Sequence, residues 1–293
     1  MIELGDRLEL RNDGDGEVVV LGYDGEPYLR VGPGGVYRNA RSPATFLNEE
    51  RRPTEAPPDT YDAQATPEWV RISDGRVARW HDHRAHWMGS GPPPAVREDP
   101  DRRHVVIEGW EVTLAHEGGR SVVTGDVVWV PGPSPWPWVA GALAIAAAVV
   151  ILARTRWWPG VLAATLALLV VIEAVHVVGL WGASSAPAGS KLVASSYSLL
   201  GIGVGVGALV VLLRRDPWDA VPALLVAGVF LFVAGGLSDV TSLTRSQLPT
   251  TLSPGTARAG VAATLGLGGG LVAGAAMHLR PPVPVARPAA VTE

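Results

Sequence analysis

Five apolar stretches in the second half of the 293-residue chain limit what it can fold into. Each stretch has about 16 to 24 residues, close to the roughly 20 that a helix needs to cross a bilayer. Tryptophans and arginines cluster at the ends of the stretches, as is typical of membrane interfaces. We therefore predict a membrane domain over 137–280, with five spanning helices at about 137–153, 159–180, 192–213, 220–238 and 257–279.

Basic residues are unevenly divided between the two sides of these spans. The positive-inside rule places the side that is richer in Lys and Arg in the cytoplasm. One set of ends carries Arg154, Arg156, Arg214, Arg215, Arg280 and Arg287, and the opposite set carries Lys191, Arg245 and Arg258. This count predicts a plasma-membrane protein with its N-terminal domain outside the cell and a disordered cytoplasmic tail at 281–293. The first residues lack the apolar core of a signal peptide, so we expect such a signal to precede the sequence.

Residues 1–130 show short alternating runs between turn signals. The runs Leu8–Arg11 and Val18–Leu21 flank a segment rich in Asn, Asp and Gly, which is the signature of a β-hairpin. Further strands are predicted at Tyr28–Val31, Glu68–Ile72, Val77–His81, His104–Ile107, Trp110–Leu114 and Ser121–Val130. This spacing predicts an all-β extracytoplasmic sandwich, joined to the spans by a Pro-rich linker at 131–136.

Composition excludes several classes of site and partner. Residues 1–135 hold 15 arginines against 23 aspartates and glutamates, a net charge of −8, and no basic patch indicates nucleic-acid binding. The chain has no cysteine, which excludes disulfides, thiolate zinc sites and iron–sulfur clusters. No G-x-S-x-G or H-E-x-x-H motif is present, so we expect a protein that is not an enzyme.

The segment Arg79–Met88 concentrates side chains that can bind a metal ion. It contains His81, His83, His86 and Met88. If the segment is extended as far as His83, then His81 and His83 project from one face, because side chains alternate along a strand. Imidazole suits Cu(II) and thioether favours Cu(I), so copper is the first prediction for this set, and zinc is possible.

A structural interpretation of the same segment stays open. Arg79, Asp82 and Arg84 alternate with the histidines and could form a hydrogen-bonded network beneath Trp80 and Trp87. Buried polar groups in proteins are almost always hydrogen-bonded, and such a network needs no metal ion.

Ionisable residues within the apolar stretches or at their ends are costly, so functional candidates are expected among them. Glu173 and His176 are three residues apart on the second span and therefore share a helix face. Asp239 lies at the outer end of the fourth span, and His278 lies at the inner end of the fifth. Glu173 and His176 could pair with each other inside the bundle, or they could form an ion or proton site that opens toward the outside.

Three phrases of the sequence resemble an uncharacterised family of actinobacterial polytopic membrane proteins that carry an exported β domain. The phrases are Gly22–Arg30, Arg41–Thr45 and Trp80–Met88, and the last contains a W-H-D-H-R-x-H-W-M motif. In addition, His86-Trp87-Met88 is similar to the His-x-Met ligand pattern of exported copper chaperones that use no cysteine. The resemblance implies kinship with copper-handling proteins.

These observations predict an integral membrane protein with an exported domain that binds copper, for delivery, sensing or homeostasis at the cell surface. Its expected partners are the lipid bilayer and other copper-handling or membrane proteins. The alternative is a non-enzymatic, membrane-anchored interaction or scaffold protein in which the histidine segment is purely structural.

Overall fold

The computed structural model describes residues 7–50, 52, 55–184 and 186–279. The predicted tail at 281–293 lies outside these described residues. The chain divides into two compact units between Gly132 and Pro133. The first unit is rich in β-strand and the second is helical, which confirms the predicted fold class.

The first unit contains two antiparallel sheets. The larger one has six strands in the order β5-β4-β3-β2-β7-β8, and the smaller one pairs β1 with β6. The strands are β1 (Leu8–Arg11), β2 (Val18–Leu21), β3 (Pro27–Gly32), β4 (Gly35–Asn39), β5 (Trp69–Ser73), β6 (Val77–Trp80), β7 (His104–His116) and β8 (Gly119–Trp129).

The core of this sandwich-like domain lies between the two sheets. The small sheet contributes the buried residues Ala78 and Trp80, and the large sheet contributes Val20, Leu29 and Val31 among others. These side chains recur at every second position of their strands in β6 and β3, so the alternating pattern places them on the inner face.

Strands β1, β4 and β7 differ from the sequence prediction. The predicted hairpin of β1 with β2 is wrong, because β1 pairs with β6 in the smaller sheet and β2 pairs with β3 and β7 in the larger one. Strand β4 was not predicted, because its residues Gly35, Arg38 and Asn39 favour turns and surfaces. Its hairpin with β3 requires Gly35, which has a φ of 118°, and a Cβ there would lie 2.5 Å from the Ser73 carbonyl oxygen. The two strands predicted at 104–107 and 110–114 are one strand, β7, whose register shifts near Gly109, where φ is 62°.

Short helical elements connect the strands. Helix α1 (Pro43–Leu47) begins at Ser42, whose hydroxyl accepts from the Ala44 backbone N–H. A 3₁₀ turn (His83–Ala85) follows β6, and α2 (Pro94–Glu98) precedes β7.

Among its described residues, the second unit contains five helices that are long and apolar enough to cross a membrane, so the chain is an integral membrane protein. They are α3 (Trp136–Ala153), α4 (Trp158–Ala183), α6 (Ser196–Arg214), α7 (Pro217–Phe230) continued by a π-helical segment (Leu231–Leu237), and α8 (Pro254–Ala276). A separate short helix, α5 (Ala188–Ala194), precedes α6, so the third span begins at Ser196 rather than near residue 192. A 3₁₀ turn (Val240–Leu243) follows the π-helical segment.

Glycines four residues apart bring α8 close to α3. A Cβ at Gly266 would lie 2.6 Å from the Ala142 carbonyl oxygen, and one at Gly270 would lie 2.7 Å from Val149. Gly274 follows at the same spacing and faces Ala153. Small residues at this spacing let helices approach closely in lipid, where packing drives association.

Candidate functional site

The histidine segment is organised around the Asp82 carboxylate. Its Oδ2 atom accepts from Trp80 Nε1 at 2.9 Å and from Arg84 Nη2 at 2.9 Å, while Oδ1 accepts from Arg84 Nε at 2.9 Å. Oδ1 also accepts from the Arg84 backbone N–H at 3.1 Å, which caps the 3₁₀ turn. Asp82 is buried, so these charge-assisted bonds fix the turn.

This cap corrects the prediction of an extended segment. Strand β6 ends at Trp80, and His83 begins the 3₁₀ turn, so His81 and His83 do not alternate along one strand. Aspartate is a strong N-cap because its oxygens accept from the free backbone N–H groups of the first turn. Proximity of the histidines therefore results from the turn and not from strand periodicity.

The turn gathers three imidazole rings around His81. The centroid of the His81 ring lies 4.7 Å from that of His86 and 5.1 Å from that of His83, both in edge-to-face orientation. His81 and His86 are buried, at 7% and 6% exposure, whereas Met88 is 38% exposed. The structure thus brings three predicted ligands, His81, His83 and His86, together at the edge of the core. It leaves the fourth, Met88, at the surface.

Polar residues from the turn between β2 and β3 and from the end of α1 support the rings. The Tyr23 hydroxyl donates to Asn48 Oδ1 at 2.5 Å and accepts from the His83 backbone N–H at 3.1 Å. The His83 Nε2 atom lies 3.0 Å from the Glu50 carbonyl oxygen. Arg84 covers the Tyr23 ring, with its guanidinium carbon 4.9 Å from the ring centroid.

Burial and the Asp82 charge shift the titration of this layer. Burial and the nearby Asp82 carboxylate raise the pKa of Tyr23, and burial raises the pKa of Tyr28 to about 12. Burial opposes the charge on Arg84, but its hydrogen bonds and attraction to Asp82 outweigh this and raise the pKa of the guanidinium. The layer therefore holds phenols with raised pKa values beside the ion pair of Asp82 and Arg84.

The side chains of the histidine segment, as placed, are not arranged to coordinate a common metal ion. Within the described ranges, no group of three or more His, Asp or Glu side chains could hold one as placed. Asp82 is already occupied by Trp80 and Arg84, so it supports the segment rather than offering a ligand. A metal ion would require the imidazole rings to rotate.

A second cluster forms among the membrane helices. His176 on α4 places its Nε2 atom 3.2 Å from Asp239 Oδ2, just after the π-helical segment. Glu173 lies one turn before His176 and is 2% exposed. The direct contact is thus between His176 and Asp239, whereas the sequence predicted a pair of Glu173 with His176.

The three residues line one cavity of about 300 Å³. Its wall also contains Gly235 from the π-helical segment and Thr256 and Thr264 from α8. A Cβ at Gly235 would overlap Glu173 Oε1, so only glycine lets the carboxyl group approach the neighbouring backbone. π-Helical turns are rare and often occur at functional sites.

Several functional residues were missed by the sequence prediction. Tyr23 and Asn48 support the histidine segment from 60 and 35 residues away, and Gly235 and Thr264 complete the cavity. The sequence offered one usable signal, the pair Gly235-Gly236 beside Asp239 at the end of a span. Nothing local to Tyr23 or Asn48 marks them.

Comparison of the chain with protein-family models, with curated proteins and with solved structures found no match.

Proposed function

We propose that the N-terminal domain binds a copper ion through His81, His83 and His86 at the outer face of the plasma membrane, for delivery or sensing of the ion. The gathering of three imidazole rings around His81 is the observation that carries this proposal. The protein would act by binding and handing over the ion, and not as an enzyme. Other copper-handling or membrane proteins would be its partners.

Burial of the rings favours a specific site over a surface patch. His81 and His86 lie against the sandwich core, and His83 is held by contacts of its backbone and ring. Supporting hydrogen bonds of this kind orient the ligands of metal sites and are part of their affinity. The Asp82 and Arg84 pair would supply that support without contacting the ion.

Binding would require a small rearrangement. The imidazole nitrogens have to turn toward a common point, and His83 has to exchange its contact with the Glu50 carbonyl oxygen for the ion. Met88 lies two residues after His86 at the surface, where its thioether could close over Cu(I). Zinc is the competing ion, because three imidazoles are also a zinc ligand set.

The test is a copper and zinc titration of the full-length protein in detergent, with bound metal measured by elemental analysis. We expect about one equivalent of copper for the wild type and a loss of binding in the His81→Ala, His83→Ala and His86→Ala variants. His116→Ala is the matched control, since His116 is an exposed histidine of the same domain that bonds Ser121. A wild type that binds no copper would contradict the proposal.

The second candidate is an interaction or scaffold protein in which the segment is structural. The satisfied network around Asp82 favours it, because that network explains the buried charge without any ion. The same variants distinguish the two functions. Loss of copper from a folded His81→Ala protein supports metal binding, whereas an unfolded variant of a wild type that binds no metal supports the scaffold.

A further inference from the structure

The carboxyl group of Glu173 is the most unusual polar group in the membrane half. Glu173 lies ten residues before the end of α4, about 15 Å along the helix axis, and therefore deep in the span. It is 2% exposed, and its Oε2 atom has no hydrogen-bond partner among the residues that the structure describes. Its side chain lines the cavity between α4, the π-helical segment and α8.

A bare carboxylate is costly at this depth. Moving an isolated charge into an apolar medium costs far more than burying a neutral hydrogen-bonding group. Ser198 on α6 and Thr264 on α8 offer hydroxyl groups to the carboxyl, but neither carries charge. The neutral acid is the form that this setting stabilises.

The titratable groups that act on Glu173 are His176 and Asp239. His176 is one turn further along α4, and its Nε2 atom contacts Asp239 at 3.2 Å. With Nε2–H donated to Asp239, the other ring nitrogen of His176 is left as a base. The remaining charged groups nearby are Arg245, which follows the 3₁₀ turn, and Arg258 on α8.

Arg258 is engaged elsewhere. Its Nη2 atom donates to the Arg245 carbonyl oxygen at 2.6 Å, and its Nε atom donates to the Ser242 carbonyl oxygen at 3.3 Å. These bonds hold the chain that follows Asp239 against α8. Arg258 therefore positions the segment that follows Asp239.

We propose that this cavity is a proton-binding site, in which Glu173 carries the proton and the His176–Asp239 pair exchanges it with water at the adjacent helix ends. Asp239 lies two residues after Leu237, where the fourth apolar span ends, and His176 lies one turn closer than Glu173 to the end of α4. The proposal does not rest on copper binding by the N-terminal domain.

The proton moves between Glu173 and water in two steps. The Glu173 acid gives its proton to the free ring nitrogen of His176, directly or through a water in the cavity, which leaves a carboxylate and an imidazolium. The Asp239 carboxylate stabilises the imidazolium until it releases the proton to water, and the reverse sequence reloads Glu173. The cavity wall is mostly apolar, and its volume of about 300 Å³ has room for a connecting water beside the polar groups of Glu173, His176 and Asp239.

Labelling with dicyclohexylcarbodiimide tests the protonated state, because this apolar reagent modifies protonated carboxyl groups in apolar surroundings. We expect the full-length protein in lipid vesicles to be labelled at Glu173, as located by mass spectrometry, with a rate that falls as pH rises. Glu173→Gln removes the label, and Asp219→Asn, which changes a carboxylate in the first turn of α7, leaves it intact. No label on Glu173 at any pH overturns the proposal, as does label that is seen only after a metal chelator is added.

Hydrogen–deuterium exchange tests the relay. The infrared band of the protonated Glu173 carboxyl should shift on transfer to D₂O, and the shift should slow roughly tenfold or more in His176→Ala and Asp239→Asn. Glu173→Gln identifies the band, and a monodisperse elution profile shows that each variant is folded. Equal exchange rates in the wild type and both variants overturn the part assigned to His176 and Asp239, even if Glu173 is protonated.

Discussion

The histidine segment and the Glu173 cavity both bring imidazoles and carboxyl groups together, but they treat the carboxyl group in opposite ways. Asp82 is surrounded by donors, two of them from the Arg84 guanidinium, so its charge is paired and hydrogen-bonded. Glu173 keeps one oxygen without a partner in the described part of the chain, so its charge is disfavoured. One carboxyl group holds a structure in place, and the other is suited to change its protonation state.

The two regions also differ in where the partners come from along the chain. Asp82 takes its main donors from residues only two positions away, Trp80 and Arg84. Asp239 meets His176 across 63 residues, through the packing of separate spans. A local network forms whenever the turn forms, whereas the membrane cluster depends on how the helices associate.

The largest expected effect is the loss of unfolding free energy when the Asp82 carboxylate is removed. Asp82→Ala leaves the mostly buried Arg84 guanidinium without its partner, and breaking a buried pair typically costs about 3–5 kcal/mol of unfolding free energy. Urea unfolding of the full-length protein in detergent, followed by the circular dichroism of the β domain, measures this. Asp74→Asn, at an exposed ion pair with Arg71, is the control and should change little. An equal loss in both variants would contradict the role given to Asp82.

The second-largest effect is expected at alkaline pH, which should weaken the polar layer that contains Tyr28. Burial raises the pKa of Tyr28 to about 12, so above pH 10 the unfolded chain loses a phenol proton that the folded domain keeps. The contribution of Tyr28 to stability is therefore complete below pH 10 and falls by roughly 1 kcal/mol for each further pH unit up to about 12. Urea unfolding at a series of pH values checks this, and Tyr28→Phe should reduce the slope, while Tyr23 keeps its own share of it. A wild-type slope no steeper than that of Tyr28→Phe would rule it out.

Gly235→Ala makes the corresponding test in the membrane half. The added methyl group overlaps Glu173 Oε1, so we expect a loss of about 1–3 kcal/mol and a displaced carboxyl group. A thermal unfolding assay in detergent measures the first effect, and carbodiimide labelling of Glu173 measures the second. Gly203→Ala is the matched control, because a Cβ at Gly203 on α6 meets nothing within 4 Å. If both variants behave alike, the close approach at Gly235 has no consequence.

The sequence was sufficient for features that one physical requirement dictates. A bilayer demands about 20 apolar residues for each helix, so the five spans could be located to within a few residues. The β domain was predictable as a class, but β4 was not, because Gly35, Arg38 and Asn39 carry no strand pattern and are held by their neighbours on both sides.

Each candidate site was likewise predictable only in part. That Glu173 and His176 share a face follows from helix geometry, but the contact of His176 with Asp239 depends on helix packing. In the histidine segment, the candidate residues were evident from the sequence. Their predicted extended arrangement was wrong, because the strand ends before Asp82, which caps a turn. Capping by a side chain two residues away overrides the alternation of a strand.

The smallest expected effect concerns the ion pair between Arg79 and Glu9, which joins β6 to β1 next to the histidine segment. Its Arg79 Nε to Glu9 Oε2 distance is 2.7 Å, but the two side chains are 30% and 25% exposed, so water screens their attraction. A double-mutant cycle with Arg79→Ala and Glu9→Ala should give a coupling of about 0.5–1 kcal/mol, weaker at high salt. A coupling as large as the loss in Asp82→Ala would mean that burial is not what separates the two ion pairs, and that the edge of the small sheet matters as much as the turn.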